Sequence, residues 1–188
     1  MSAAIEDTFD NFIRTLSNFQ CMKGDLDKQY YADLEEIVNT AMKQVSDRTG
    51  KYLHNLHEHQ PDEDTLQKII DNVPSSLSYE DEWGEEGGEI PIQTAAISEE
   101  SVHYVPLLAK KGVTHNVDGD GARGGLLVGN DNVFWTLAYR AASGETADRL
   151  YLDVMKKLRK SKLLLREDIQ DHNLLYWACN PDTPTRFE

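Results

Sequence analysis

Only two cysteines, Cys21 and Cys179, occur in the 188 residues of this chain. They are too few and too far apart in sequence for a disulfide framework, so a reducing compartment, cytoplasm or nucleus, is the expected setting. Also missing is any apolar run near the ~20 residues that a bilayer-spanning helix needs, so no membrane insertion is expected. Glu6, Asp7 and Asp10 stand where a secretory leader would have a basic region and then an apolar one. Positive charge is scarce: 19 Lys and Arg against 33 Asp and Glu leave a net charge of −14. That balance argues against nonspecific binding to nucleic acid or anionic lipid, whose phosphates call for cations. No useful length of chain alternates apolar and polar residues with period two, so the expected class is all-α.

What is present fits a soluble globular chain, with 39% hydrophobic and 28% charged residues in a length suited to one domain. Ile5, Phe9, Phe12, Ile13, Leu16 and Phe19 fall three or four apart, as on one helix face, with Gly24 ending that helix or beginning the following turn. Tyr30, Leu34, Ile37, Val38, Ala41 and Val45 line a second, and a shorter helical piece holds Tyr52, Leu53 and Leu56. Pro61 stops the latter. Asp62 to Asp64 can open a further helix with Leu66, Ile69 and Ile70 inward, closed by Pro74.

Composition then shifts. Residues 74–89 hold serine, glycine and six carboxylates, Glu80, Asp81, Glu82, Glu85, Glu86 and Glu89, a stretch expected as loop or extended hairpin. Helices resume near Ile90–Ser98 and Ser101–Lys111, give way to a glycine-rich loop over 112–131, and return at Val133–Ala142 and Thr146–Lys160. A last short helix is expected over Asp171–Cys179, before Pro181 and Pro184.

Ile90-Pro91-Ile92-Gln93-Thr94-Ala95-Ala96, followed by Val105, Leu107, Leu108 and Gly112, resembles one ankyrin repeat. Such repeats run about 33 residues, with a first helix opened by Thr-Pro-Leu-His-x-Ala and a second closed by a glycine. The chemistry is local: proline at a helix start loses no hydrogen bond, small alanines allow close helix approach, and a glycine after a helix takes the left-handed conformation that ends it. Worn copies resemble the same unit at Asp171–Cys179, at Gly124-Gly125-Leu126-Leu127 (Leu126 lies 34 residues after Ile92), and at 51–74 with Leu66, Ile69 and Ile70 in a second helix. The resemblance implies a degenerate ankyrin-like solenoid over 51–188, with residues 1–50 as an N-terminal helical cap covering its apolar end. A chain stopping at Glu188, right after such an opening, fits a truncated product or a fragment of a longer solenoid.

The implied function is non-catalytic protein binding along the concave face and the loop tips. The expected contact residues are Tyr79, Trp83, Glu85 and Glu86 in the 79–90 loop, and Asp118, Asp120 and Arg123 in the 114–125 loop. Trp83 among carboxylates is either packed back onto the stack or offered to a partner as an aromatic anchor, and the acidic field around it suits a basic protein partner. Alternative readings are a structural subunit of a larger assembly, or a calcium-responsive module using Asn116, Asp118 and Asp120, although Leu127 stands where a calcium loop needs its glutamate.

Other motifs carry less. Gly119, Gly121 and Gly124 match Gly-x-Gly-x-x-Gly, but Asp118 and Asp120 would repel phosphate and no strand precedes them. His54, His57 and His59 do not share one helical face, which argues against a zinc set. No residue set proposes a reaction, and no enzyme activity, cofactor or metal is expected. Trp135, Tyr139, Tyr151, Tyr176 and Trp177 stand at or near helical spacing and are read as core in preference to contact. Lys156, Lys157, Arg159, Lys160 and Lys162 form the one basic cluster, read first as compensation of a helix dipole and second as a docking patch for an acidic partner or for the acidic loop of a second copy.

Overall fold

The structure is a computed structural model, described here for residues 28–81, 88–117, 119, 123–129, 132–142 and 148–171. The chain separates into two compact units, Met1–Gln44 and Val45–Glu188. The dividing point lies within the first described helix, upstream of the expected cap boundary at residue 50. The described residues are helical, with no strand among them, and no helix there is long and apolar enough to cross a membrane.

Helix α1 spans Lys28–His54. The helix expected through Tyr30–Val45 thus runs on to take in Tyr52 and Leu53 of the next expected piece, while Leu56 falls beyond a break at Asn55. Gly50 lies inside this helix, and its missing side chain leaves room for the ring of Tyr79, whose Cδ1 would lie 2.7 Å from a Cβ at that position. In the first unit, Leu34, Val38 and Ala41 are half-buried, while Ile37 and Met42 are exposed. The expected helix at Ile5–Phe19 lies outside the described residues.

In the second unit a short α2 (Leu56–His59) precedes α3 (Glu63–Asn72). Asp62 caps α3 as expected: its carboxylate accepts from the Thr65 N–H at 2.8 Å and from the Thr65 hydroxyl at 2.7 Å. Leu66, Ile69 and Ile70 point inward from it. Of residues 74–89, expected as loop or extended hairpin, 74–81 and 88–89 are described. Pro74–Ser78 form a 3-10 turn that buries Ser76 and Leu77, and the ends of the acidic stretch meet where the Asp81 N–H donates to the Glu89 carbonyl at 3.1 Å.

Helices α4 (Pro91–Ile97) and α5 (Val105–Thr114) follow, the second preceded by a 3-10 turn at Val102–Tyr104. Pro91 takes the first-turn position expected of it, and Gln93 Oε1 accepts from the Ile90 N–H at 2.8 Å, supplying a partner to one orphan donor of the helix start. Gly112 does not end α5. It is buried inside the helix, where its lack of a side chain lets the backbone of Gly124 come close.

The copy expected at 124–127 is also different: residues 123–127 form a turn, with Gly124 and Gly125 at φ +68° and +93°, and Leu126 is buried without starting a helix. The next pair is α6 (Val133–Ala142) and α7 (Asp148–Lys160). Asn132 caps α6, its Oδ1 accepting from the Trp135 N–H at 3.1 Å. Helix α8 (Arg166–Asp171) was not expected. Of the last expected helix only Asp171 is described, and it closes α8.

Helix α4 packs on α5 and α6 on α7; α4 also packs on α6, α5 on α7, and α3 on α5. One core joins these elements, with Leu53, Leu66, Leu108, Phe134, Tyr151 and Leu158 withdrawn from solvent. Burying such a side chain contributes about 1.5–3 kcal/mol each, so this shared interior holds the unit together.

Candidate recognition surface

Helices α4 and α6 share one burial pattern. Pro91, Ile92, Ala95 and Ala96 are buried, Gln93 and Thr94 half-buried, and Ile97 exposed; Val133, Phe134, Leu137 and Ala138 are buried, Trp135 and Thr136 half-buried, and Tyr139 exposed. The correspondence is residue for residue at an offset of 42. Threonine and alanine recur at 94/136 and 96/138. The second helices follow suit: Val105, Leu108, Ala109 and Gly112 are the inward set of α5, and Tyr151, Val154, Met155 and Leu158 that of α7.

The outward face of α6 carries a stacked aromatic pair. The rings of Trp135 and Tyr139 lie 5.3 Å apart and 7° from parallel, one helical turn apart in sequence. Tyr139 remains 37% exposed and Ile97, at the matching place on α4, 41%. Both are large apolar groups open to solvent at the same register of adjacent helices. The sequence reading assigned Trp135 and Tyr139 to the core; the structure buries Tyr151 but leaves Tyr139 accessible.

Tyr79 stands at the base of the acidic stretch. Its ring meets His54 edge-on at 5.8 Å, and its carbonyl lies 3.1 Å from His54 Nε2. A carbonyl only accepts, so Nε2 carries the proton; in the neutral ring Nδ1 accepts from the Thr94 hydroxyl at 2.8 Å. Tyr79 is therefore tied to the end of α1 and to α4, and its half-buried ring serves as an anchor for the stretch that follows. Trp83, Glu85 and Glu86 lie outside the described residues, as do Asp118 and Asp120.

Arg123, the remaining expected contact, is engaged within the chain. Its guanidinium is ion-paired with Asp168, a carboxylate only 3% exposed. The same carboxylate accepts from the Leu165 N–H at 2.6 Å at the start of α8. Arg123 thus fastens the 123–127 turn to α8. Gln93 fastens the turn from the other side, its Nε2 donating to the Val128 carbonyl at 3.1 Å. Tyr79 and Arg123 make separate attachments.

Among the described residues no three His, Cys, Asp or Glu side chains gather as a metal site. His59 stacks on Tyr52 at 4.5 Å, and His54 is held by Thr94 and Tyr79, so the histidine group serves packing. Gly119 and Gly124 both have positive φ and follow α5, with no strand among the described residues. Burial holds the His103 imidazole below its ordinary pKa, with Lys157 adding to the effect and Glu63 opposing it. Burial also raises the Tyr104 hydroxyl, which donates to the Pro61 carbonyl at 2.5 Å.

The exposed face of α7 is basic. Lys156, Lys157, Arg159, Lys160 and Lys162 are all exposed, and Asp153 pairs with Lys156 at 2.8 Å. No family model matches the chain, and no curated protein or solved structure matches it either.

Proposed function

We propose that this chain is a non-catalytic protein-recognition module, a degenerate ankyrin-like stack of helix pairs over the second unit, acting in the cytoplasm or nucleus. The pairs are α4 with α5 and α6 with α7, with α3 as the second helix of a preceding pair. The observation that carries the reading is the shared burial pattern of α4 and α6. A stack of helix pairs buries each first helix against its neighbours in the same way and leaves the same positions facing outward. The offset of 42 exceeds the ankyrin period of about 33, and the surplus lies in the connections between helices.

The partner is a protein held along Ile97, Trp135 and Tyr139, with the acidic stretch and the 114–125 loop meeting it at the edge. Aromatic side chains in such a position bury much area at small entropic cost, which is why they recur among the residues that dominate interfaces. The test uses Ile97→Ser and Tyr139→Ser, both at exposed positions. Tagged full-length chain, wild type and double variant, would be passed through lysate of the source cells. A stoichiometric protein retained by the wild type should be lost from a variant whose melting temperature is unchanged. Equal retention by both chains would reject the face.

A further inference from the structure

Five cations fall within residues 156–162, at the C-terminal end of α7. A helix C-terminus presents roughly half a negative elementary charge, so dipole compensation accounts for one cation and leaves the rest in excess. Asp153 pairs with Lys156, but both side chains are largely exposed (60% and 74%), a geometry that solvent screens. Lys157, Arg159, Lys160 and Lys162 have no carboxylate within ion-pair distance among the described residues. They sit together against their mutual repulsion in a chain whose net charge is −14.

The helix end adds an independent observation. The Leu163 N–H donates to the Leu158 carbonyl at 2.9 Å and the Lys162 N–H to the Arg159 carbonyl at 3.1 Å, the bond pair of a Schellman ending. The residue in the left-handed position of that ending is Lys162, at φ +59°, where glycine is the relaxed choice. A cation thus occupies a site that backbone sterics alone would assign to glycine, extending the basic face by one more charge.

The same chain carries the opposite charge in a comparable length: Glu80, Asp81, Glu82, Glu85, Glu86 and Glu89. The ends of that stretch are held together by the Asp81–Glu89 backbone hydrogen bond. A Cβ on Gly88 would fall 2.7 Å from the Glu80 Cβ, so the closure requires glycine there. The base is anchored through Tyr79 to His54. Six carboxylates within ten residues of sequence are thus opposite in charge to five cations within seven.

We propose that the basic face of α7, Lys156 to Lys162, docks the acidic stretch 80–89 of a second copy of this chain. The inference rests on the recognition reading only in treating the acidic stretch as a docking element. Two molecules of like net charge approach because screening confines the repulsion of their remote charges to a Debye length of about 8 Å at physiological salt, whereas the opposed clusters come into contact. The contact joins two different patches, so it either closes reciprocally in a dimer or continues head to tail.

Charge exchange tests it on the pure full-length chain, with mass measured by sedimentation equilibrium. At about 50 mM salt the wild type should exceed its monomer mass, and at about 0.5 M salt it should return to monomer. The monomer mass is 21.3 kDa. Lys156→Glu with Lys157→Glu and Lys160→Glu should weaken self-association at least tenfold, as should Glu80→Lys with Glu85→Lys and Glu86→Lys. An equimolar mixture of the two reversed chains should associate again. Circular dichroism and melting establish that each variant is folded, and the milder Lys157→Gln/Lys160→Gln chain should show an intermediate weakening. A wild type monomeric at low salt, association indifferent to salt, or a mixture that stays monomeric would each overturn the proposal. Binding of RNA or phosphatidylserine vesicles by a monomeric chain, lost in the lysine variant, would overturn it in favour of a different polyanion. Since no other protein is present, failure here leaves partner capture by the α4 and α6 face to be judged by its own experiment.

Discussion

The backbones of Gly112 and Gly124 touch with no side chain between them. A Cβ on Gly112 would lie 2.5 Å from the Gly124 carbonyl oxygen, and one on Gly124 would lie 2.6 Å from the Val113 nitrogen and against the Ala109 carbonyl. This contact seats the 123–127 turn on α5. Gly112→Ala forces backbone apart and should destabilise the chain by about 1–3 kcal/mol, the range for overpacking. Gly124→Ala should cost more, because its φ of +68° adds roughly 1–2 kcal/mol of left-handed strain. Denaturant midpoints should fall in that order with unchanged slopes; equal effects would mean that the turn simply lifts away from the helix.

Arg123 and Asp168 should prove unequal partners. Asp168 is nearly enclosed and Arg123 retains some contact with water. Arg123→Ala leaves a buried carboxylate that still accepts from the Leu165 N–H but has lost its cation, and should cost about 3–5 kcal/mol. Asp168→Ala leaves an arginine that can turn toward solvent and should cost less. The double variant should be milder than the two single losses added together, a coupling of about 0.5–3 kcal/mol in a double-mutant cycle.

Stability should fall on mild acidification through His103. Its pKa is depressed in the folded chain chiefly by burial, so the unfolded chain binds the proton first as pH drops through the ordinary value of 6.5. Where the unfolded state holds more protons, stability rises with pH. The penalty therefore begins just above that value and is complete once pH is below the depressed folded value. His103→Gln should flatten this part of the profile. A second loss should remain in both chains at lower pH, because the Lys111 hydrogen bond holds the Asp71 carboxyl below its ordinary 3.8 and the Thr65 hydroxyl does the same for Asp62. Thermal midpoints of the two chains across this range measure it.

The helices that fold by strong local rules were legible in the sequence. Asp62 before Glu63 and Asp64, Pro91 before the alanines, and the apolar spacing of Val133–Ala142 all set local geometry directly, and those elements lie where expected. Gly112 misled because glycine, there as at Gly50, has two uses. At both positions it makes room for a distant part of the chain, Tyr79 or Gly124, and spacing along the sequence carries no signal of that. The correspondence of α4 with α6 was obscured by the choice of period: at 34 residues Ile92 meets Leu126, whereas at 42 it meets Phe134 and brings threonine and alanine into register. Tyr139 was misassigned because aromatic residues at helical spacing satisfy either a core or a surface stack. Helix α8 escaped notice since one buried carboxylate, Asp168, anchors its start in place of an apolar stripe.

Gln93 uses both ends of its amide on main chain, accepting from Ile90 and donating to Val128. Glutamate at neutral pH lacks the donor, lysine and arginine lack the acceptor, and asparagine is one methylene short. The core leucines admit swaps of similar volume, but this position admits a single residue type. A lineage descending from this chain would be free to redraw much of its interior long before it could respell residue 93, so the most restrictive instruction in the unit belongs to a half-exposed polar side chain.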